Sequence, residues 1–223
     1  MNYRAIIFDL DGTIIDTSAI WQAATKQLIA LKTDKAQEVC DILQERLHGM
    51  AMPKACALIK ETMNLEDTIE NLMEEKTRIA CQLYQEQLEF IEGFEPFHNK
   101  LVQKNLKTAV ATNADDATLK LSILILNLDR FFGEHIYGIS QVNKIGKPDP
   151  AIYIHAASKI GVAPKHCIAI EDSAHGIAAA QAAGMFCIGI NTSHNYEQVK
   201  RASLVVDRYA DIDLNYIVKS SNL

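Results

Sequence analysis

Hydrophobic and polar positions fall into two regimes along this chain. Near the start, Ala5-Ile6-Ile7-Phe8 is an unbroken apolar run that ends in Asp9, Asp11, Gly12 and Thr13. Four apolar residues stopped by a glycine-containing turn predict a strand buried on both faces, as in a parallel sheet. From Ser18 to Ile91 the spacing becomes helical, with Gly49 the only glycine and Pro53 the only proline. Ile20, Ala24, Leu28 and Leu31 form one stripe, Val39, Ile42, Leu43 and Leu47 a second, and Leu72, Ile79, Leu83 and Leu88 a third. Asp34 is a candidate N-cap for the second helix, and Asn64 to Asp67 supplies start signals for the last.

From Phe94 onward, short apolar runs alternate with helical patterns. Thr108 to Ala111, Cys167 to Ile170, Phe186 to Ile190 and Leu204 to Val206 predict strands. Ala114 to Leu126, Pro150 to Ile160 and Ser173 to Ala183 predict helices, the last stopped by Gly184. Such alternation implies a parallel sheet with helices on both faces. The first strand must join that sheet, because alone it could bury nothing. The expected architecture is therefore α/β: a three-layer Rossmann-like core from residues 1–17 and 92–223, with an all-helical insert over 18–91. Only the tail from Lys219 reads as loose.

Composition narrows the function classes. The 223 residues carry 48% hydrophobic and 22% charged side chains, ordinary values for a globular protein. A formal charge of −6 argues against non-specific nucleic-acid binding, which runs on basic surface. No apolar run approaches the roughly 18 residues of a membrane span. The first strand begins so early that no signal peptide is expected, which points to a cytoplasmic protein. Cys40, Cys56, Cys81, Cys167 and Cys187 are odd in number, widely spaced and without a CxxC pair, which predicts reduced thiols. None of the seven histidines has a metal-ligand spacing partner, and His175 reads as helix surface.

The chemistry sits just past the apolar runs. Asp9 and Asp11 follow the first; two acids there are not core filler, since buried carboxylates need partners. Thr112-Asn113 follows the run ending at Ala111, Lys147 stands in Gly146-Lys147-Pro148-Asp149-Pro150, and Glu171-Asp172-Ser173 follows the run ending at Ile170. In a parallel sheet these ends share one edge, the edge where open α/β sheets place ligands. Each has a plainer reading alone: Thr112 and Ser173 as helix caps, Lys147 as a solvated lysine. Asp115 and Asp116 serve the start of the following helix.

In the order acid pair, Thr, Lys, acid pair, these positions resemble the four motifs of the haloacid dehalogenase (HAD) superfamily. The likeness runs the length of the chain, and 18–91 lies where one subfamily inserts an α-helical cap. The resemblance implies a Mg²⁺-dependent phosphatase acting on a small phosphorylated metabolite such as a sugar phosphate. Asp9 would be the nucleophile, giving an aspartyl-phosphate, and Asp11 the acid/base. The Asp9 and Asp172 carboxylates and the Asp11 backbone carbonyl would hold Mg²⁺, with Glu171 behind them. Thr112, Asn113 and Lys147 would hold the phosphoryl oxygens, helped by backbone N–H groups around Gly12. Thr17 and Glu92-Gly93 match the hinges, although Glu92 stands where the family often has Pro. In the cap, Trp21 and Gly49 are candidate substrate positions.

The physical logic agrees with the residue types. A phosphate monoester is a dianion that a carboxylate repels, so cations are needed before one can attack it. Crowding among acids raises a carboxyl pKa, which suits a proton donor. The alternative is a phosphosugar isomerase of the β-phosphoglucomutase type, which shares the four motifs. Trp21 aligns where that type has a cap His, and Met50 and Ala51 follow Gly49 where it has Arg, so phosphatase is preferred. A non-catalytic binding protein would not need Asp9, Asp11, Lys147 and Asp172 intact. Dehalogenase chemistry is disfavoured by Asp11 and Asp172, while Lys26, Lys54 or Lys76 could supply the Schiff-base lysine of a phosphonate hydrolase. The expected partners are a small phosphorylated substrate and, at most, further copies of the chain, as a monomer or small homo-oligomer.

Overall fold

The computed structural model describes residues 3–47, 50 and 52–214. Strand β1 (Ala5–Phe8) comes first, followed by four helices: α1 (Ser18–Lys32), α2 (Ala36–Leu47), α3 (Met52–Met63) and α4 (Ile69–Gln87). Helix α5 (Phe94–Gln103) opens the alternating region. It is followed by β2 (Lys107–Ala111), α6 (Asp116–Leu126), the single turn α7 (Asp129–Phe132), β3 (Ile136–Tyr137) and α8 (Ala151–Lys159). Then come β4 (Cys167–Glu171), α9 (Ala174–Ala182), β5 (Phe186–Ile190), the single turn α10 (Tyr196–Val199) and β6 (Leu204–Val206). The chain divides into two compact units, Met1–Thr17 with Glu89–Leu223, and Ser18–Leu88.

In the first unit all six strands are parallel, in the order β3-β2-β1-β4-β5-β6. β1 lies at the centre, with Ile7 level with Ala109 of β2 and Ala169 of β4. Side chains alternate between faces along a strand. Ala5, Ile7, Ala109, Ala111, Cys167 and Ala169 point to one face, where small residues admit Ile152, Tyr153 and Ala156 of α8 and Ile177 and Ala180 of α9. Phe8 points to the other, against Phe94 and Phe97 of α5 and Phe132 of α7, with ring centroids 5.8 to 6.3 Å apart. His98 is buried in that aromatic layer, its Nε2 3.1 Å from Thr108 Oγ1. Helices thus cover both faces of a parallel sheet. The caps follow the sequence: Asp115 accepts from Ala117 and Thr118 N–H, and Ser173 from Gly176 N–H.

In the helical unit α4 is the organising element, packing against α1 and α3. Its N-cap is Thr68, one residue past the expected start signals, with the side chain accepting from Asn71 N–H. The third stripe is buried throughout, at Leu72, Ile79, Leu83 and Leu88. The other two need correction: Leu31 is 61% and Ile42 58% exposed, whereas Ile29 is buried. The buried side of α1 is centred near Ala24 and Leu28 and turns toward Ile29, leaving Leu31 at its rim in the last turn. The five cysteines are free thiols. Among the described residues no helix is long and apolar enough to cross a membrane.

Candidate active site

Strand parity sets the geometry at the C-terminal edge of the sheet. Asp9 follows Phe8 and continues the face of Ala5 and Ile7, while Glu171, the last residue of β4, continues the face of Cys167 and Ala169. Both carboxylates therefore turn toward α8. Asp9 N–H donates to Ile170 O at 2.9 Å, which locks the start of the loop to β4.

Between the two carboxylates lies Lys147, whose side chain is 3% exposed. Its Nζ is 2.5 Å from Asp9 Oδ1 and 2.6 Å from Glu171 Oε1. Burial alone would lower the Lys147 pKa, but the two carboxylates outweigh it and raise it above the ordinary lysine value, favouring the ammonium. Two further donors fix Glu171. Tyr153 of α8 donates its hydroxyl to Oε1 at 2.7 Å, and Ser173 Oγ donates to Oε2 at 3.0 Å. The Tyr153 ring also lies 4.9 Å from the Lys147 ammonium, a cation–π contact. Gly176 permits this arrangement, since a Cβ there would fall within 2.0 Å of the Glu171 carboxylate.

The other expected residues surround this pair. Thr112, directly after β2, is buried and lies 3.5 Å from Asp11 Oδ2, the long limit of a hydrogen bond, while its Oγ1 accepts from Ala114 N–H at 3.0 Å. Asn113 Oδ1 accepts from Lys147 N–H at 2.9 Å, tying the lysine loop to the end of β2. Asp172 follows β4, with Thr13 Oγ1 3.5 Å away. Gly12, at φ +80°, brings the first loop against it: a Cβ there would come within 2.2 Å of Asp172 Oδ2. Asp9, Asp11, Thr112, Asn113, Lys147, Glu171 and Asp172 thus form one connected cluster. Trp21 belongs to the helical unit, beside Tyr84 and 5.7 Å from the Lys76 ammonium. Gly49 falls outside the described residues. His175 is exposed on α9, outside the cluster.

Charge within the cluster is unbalanced. Burial, with Glu171, Asp172 and Asp11 nearby, holds the Asp9 carboxyl well above the usual carboxylate range despite Lys147. Burial and Glu171 push Asp172 up to about 7. Asp9, Glu171 and Asp172 each offer an oxygen within 4.8 Å of the others. The two Glu171 oxygens already accept from Lys147, Tyr153 and Ser173, which leaves Asp9 and Asp172 as the carboxylates available to an ion. An all-oxygen, anionic donor set with excess negative charge suits a hard divalent cation such as Mg²⁺. Sequence reasoning missed Tyr153; its signal was its place in the first turn of α8, six residues after Lys147.

Comparison with known proteins bears on the family and the fold. Residues 3–184 match the model of the haloacid dehalogenase-like hydrolase family. The chain is 29% identical to a phosphorylated carbohydrates phosphatase of Thermotoga maritima, over 82% of each chain. It is 30% identical to the β-phosphoglucomutase of Bacillus subtilis, covering 96% of this chain and 93% of that one. A HAD hydrolase structure from Entamoeba histolytica superposes over the full length of both chains with a TM-score of 0.80 at 23% identity, a likeness of fold.

Proposed function

Because the chain belongs to the haloacid dehalogenase-like hydrolase family and is a phosphoric monoester hydrolase, we propose that it is a Mg²⁺-dependent phosphatase of small phosphorylated carbohydrates working through Asp9. The observation that carries this reading is the buried Lys147 ammonium clamped between Asp9 and Glu171 at the sheet edge. A lysine so held, its charged form favoured by two carboxylates, can neutralise phosphoryl oxygens beside a carboxylate.

In this mechanism Asp9 attacks phosphorus in line, forming an aspartyl-phosphate and expelling the alkoxide. Asp11 gives the leaving oxygen its proton, then takes one from the water that hydrolyses the phosphoenzyme. Thr112, Asn113 and Lys147 hold the phosphoryl oxygens, and Glu171 keeps Lys147 aimed at Asp9. Asp9 and Asp172, with the Asp11 carbonyl, would hold Mg²⁺, which when bound offsets the charge of the carboxylates and of the dianionic substrate. Trp21, in the helical unit, stays a candidate for substrate selection by the family resemblance alone.

The Thermotoga relative favours a phosphorylated sugar as substrate. The Bacillus relative favours a second reading, transfer of the phosphoryl group back to a sugar rather than to water. A phosphate-release panel of phosphorylated metabolites with Mg²⁺ tests both. Release of inorganic phosphate from sugar phosphates is expected. Conversion of β-glucose 1-phosphate to glucose 6-phosphate outrunning release would select the isomerase.

A further inference from the structure

The family match stops at residue 184, yet the chain beyond it reaches back to the loop that carries the acid pair. Thr192, just past β5, donates its hydroxyl to the Gly12 carbonyl at 2.6 Å. Tyr209, past β6, donates its hydroxyl to the Thr13 carbonyl at 2.8 Å. Two consecutive peptide oxygens of one tight turn are thus held by side chains 180 and 196 residues away in sequence.

The remaining backbone bonds of that turn are local except at its far end, where Ile14 O accepts from Ile91 N–H at 2.8 Å and Asp16 N–H donates to Glu89 O at 3.1 Å. The Leu10 carbonyl accepts from the N–H groups of Thr13, Ile14 and Ile15, and Gly12 N–H donates to Ile15 O. The local bonds define the shape of the turn and the bonds to Glu89 and Ile91 hold its far end, while the tilt of Gly12 and Thr13 over the sheet edge is set from the other side. The two hydroxyls fix that tilt, because they hang from elements anchored in the core. Tyr209 is 2% exposed, its ring 5.1 Å from that of Phe97 and 6.0 Å from that of Phe94. Thr192 follows β5, whose neighbour in the sheet is β4, the strand ending in Glu171. The tilt matters because there is no slack. The Gly12 Cα faces the Asp172 carboxylate so closely that no Cβ could intervene, and Thr13 Oγ1 touches Asp172 while Asp11 approaches Thr112.

We infer that Thr192 and Tyr209 are positioning residues, a C-terminal clamp that sets Asp11 and the nucleophile loop at their working distance from Asp172 and Thr112. The inference rests on the phosphatase reading. It predicts a loss in turnover with substrate binding spared, since neither hydroxyl meets the phosphate and both act through the loop. A displacement of about 1 Å in a reacting group is costly even when everything else stays bound.

The test is steady-state hydrolysis of p-nitrophenyl phosphate with Mg²⁺ by the full chain and by Thr192→Val, Thr192→Ser, Tyr209→Phe and the Thr192→Val/Tyr209→Phe double variant. Thermal unfolding is followed in parallel. If the parent protein releases no phosphate from this ester or from the metabolite panel, the phosphatase reading fails, whatever the variants do. Given an active parent, kcat should fall about tenfold in Thr192→Val and in Tyr209→Phe, with KM within about twofold. The double variant should lose more than either single one. Thr192→Ser, which keeps the hydroxyl, should recover most of the rate. Amide hydrogen exchange at Gly12 to Ile15 should quicken in the Val and Phe variants and not in Ser, a readout independent of turnover. Unchanged kcat in folded Thr192→Val and Tyr209→Phe, a rise confined to KM, or failure of Ser to restore the rate would each overturn the clamp. Should Tyr209→Phe fail to fold, the Thr192 Val and Ser pair decides the matter alone.

Discussion

Among the described residues each unit has a lysine with a buried side chain, Lys147 and Lys76, and their surroundings could hardly differ more. The Lys147 side chain is 3% exposed and touches two carboxylates. Lys76 on α4 is 7% exposed and, among the described residues, has no carboxylate within ion-pair distance; its ammonium sits 5.7 Å from the Trp21 ring. Burial lowers both pKa values. For Lys147 the neighbouring Asp9 and Glu171 reverse the sign, whereas for Lys76 burial prevails with only Cys56 opposing it. Burial therefore does not mark a working cation; compensating charge does. The sheet edge is a set of mutually dependent charges, and the helical unit is a packed core that tolerates one amine.

If that contrast is right, the largest effects come from breaking the charge set. Asp9→Asn is nearly isosteric and should leave the fold intact while reducing phosphate release on the order of 10⁴-fold or more. A rate near that of the parent would refute Asp9 as the nucleophile. Stripping the metal with EDTA should abolish activity as completely, with Mg²⁺ restoring it. Ca²⁺ should not restore it, because its looser coordination would misplace the carboxylates. Full activity in EDTA would show that Lys147 alone offsets the charge.

Lys147→Met comes next and separates the two lysines directly. It should cost on the order of 10²–10³-fold in kcat. It should also destabilise the fold by about 3–5 kcal/mol, since Asp9 and Glu171 would then face each other without a cation. Urea titration of the purified variant measures the second effect, and an unchanged midpoint would mean the carboxylates simply protonate.

Much of this contrast was legible in the chain itself. Alanine- and isoleucine-rich runs such as Cys167 to Ile170 read as buried strands because nothing polar interrupts them, and the reactive residues stand immediately after. Lys147 could be aligned with those ends, but its burial could not be read, since Pro148 and Asp149 beside it suggest a solvated turn. Lys76 carried a signal that went unused: it lies four residues after Leu72 and three before Ile79, on the buried stripe of α4. Thr192 and Tyr209 had no local signal, because a hydroxyl reaching a backbone carbonyl across 180 or more residues leaves no pattern near either end. Tyr153 lies between these cases, close to Lys147 in sequence but tied to Glu171 only through packing of α8 on the sheet.

A smaller effect concerns a buried base that carries no charge set at all. His98, 2% exposed among aromatic rings, has its pKa lowered by burial to about 4, against 6.5 when unfolded. Between those values the unfolded chain binds the proton that the folded protein refuses, so stability rises with pH across the window. It is fully present above about pH 6.5 and is lost as pH falls toward 4, by a total on the order of 3 kcal/mol. His98→Phe should flatten that part of the stability–pH curve. If the slope persists in His98→Phe, the acid sensitivity belongs to another group.

The smallest effect, and the sharpest test of the contrast, is Lys76→Met. The substitution keeps the length of the side chain and replaces a buried ammonium by a flexible apolar group. Lost with it is a cation–π contact of about 0.5–2 kcal/mol; gained is the removal of a charge that burial disfavours. The balance predicts a protein as stable as the parent or more so, by about 1 kcal/mol at pH 7. The pH dependence supplies the sign. Because burial lowers the Lys76 pKa below its unfolded value of 10.5, the unfolded chain holds more protons in the window just below 10.5. The parent must therefore gain stability there as pH rises, while Lys76→Met cannot. Unfolding free energies of the two proteins, measured by urea titration from pH 7 to pH 10, should converge. If instead Lys76→Met is clearly destabilised at pH 7 and the gap does not fall with pH, then Lys76 has an anionic counterpart, and the two buried lysines are alike after all.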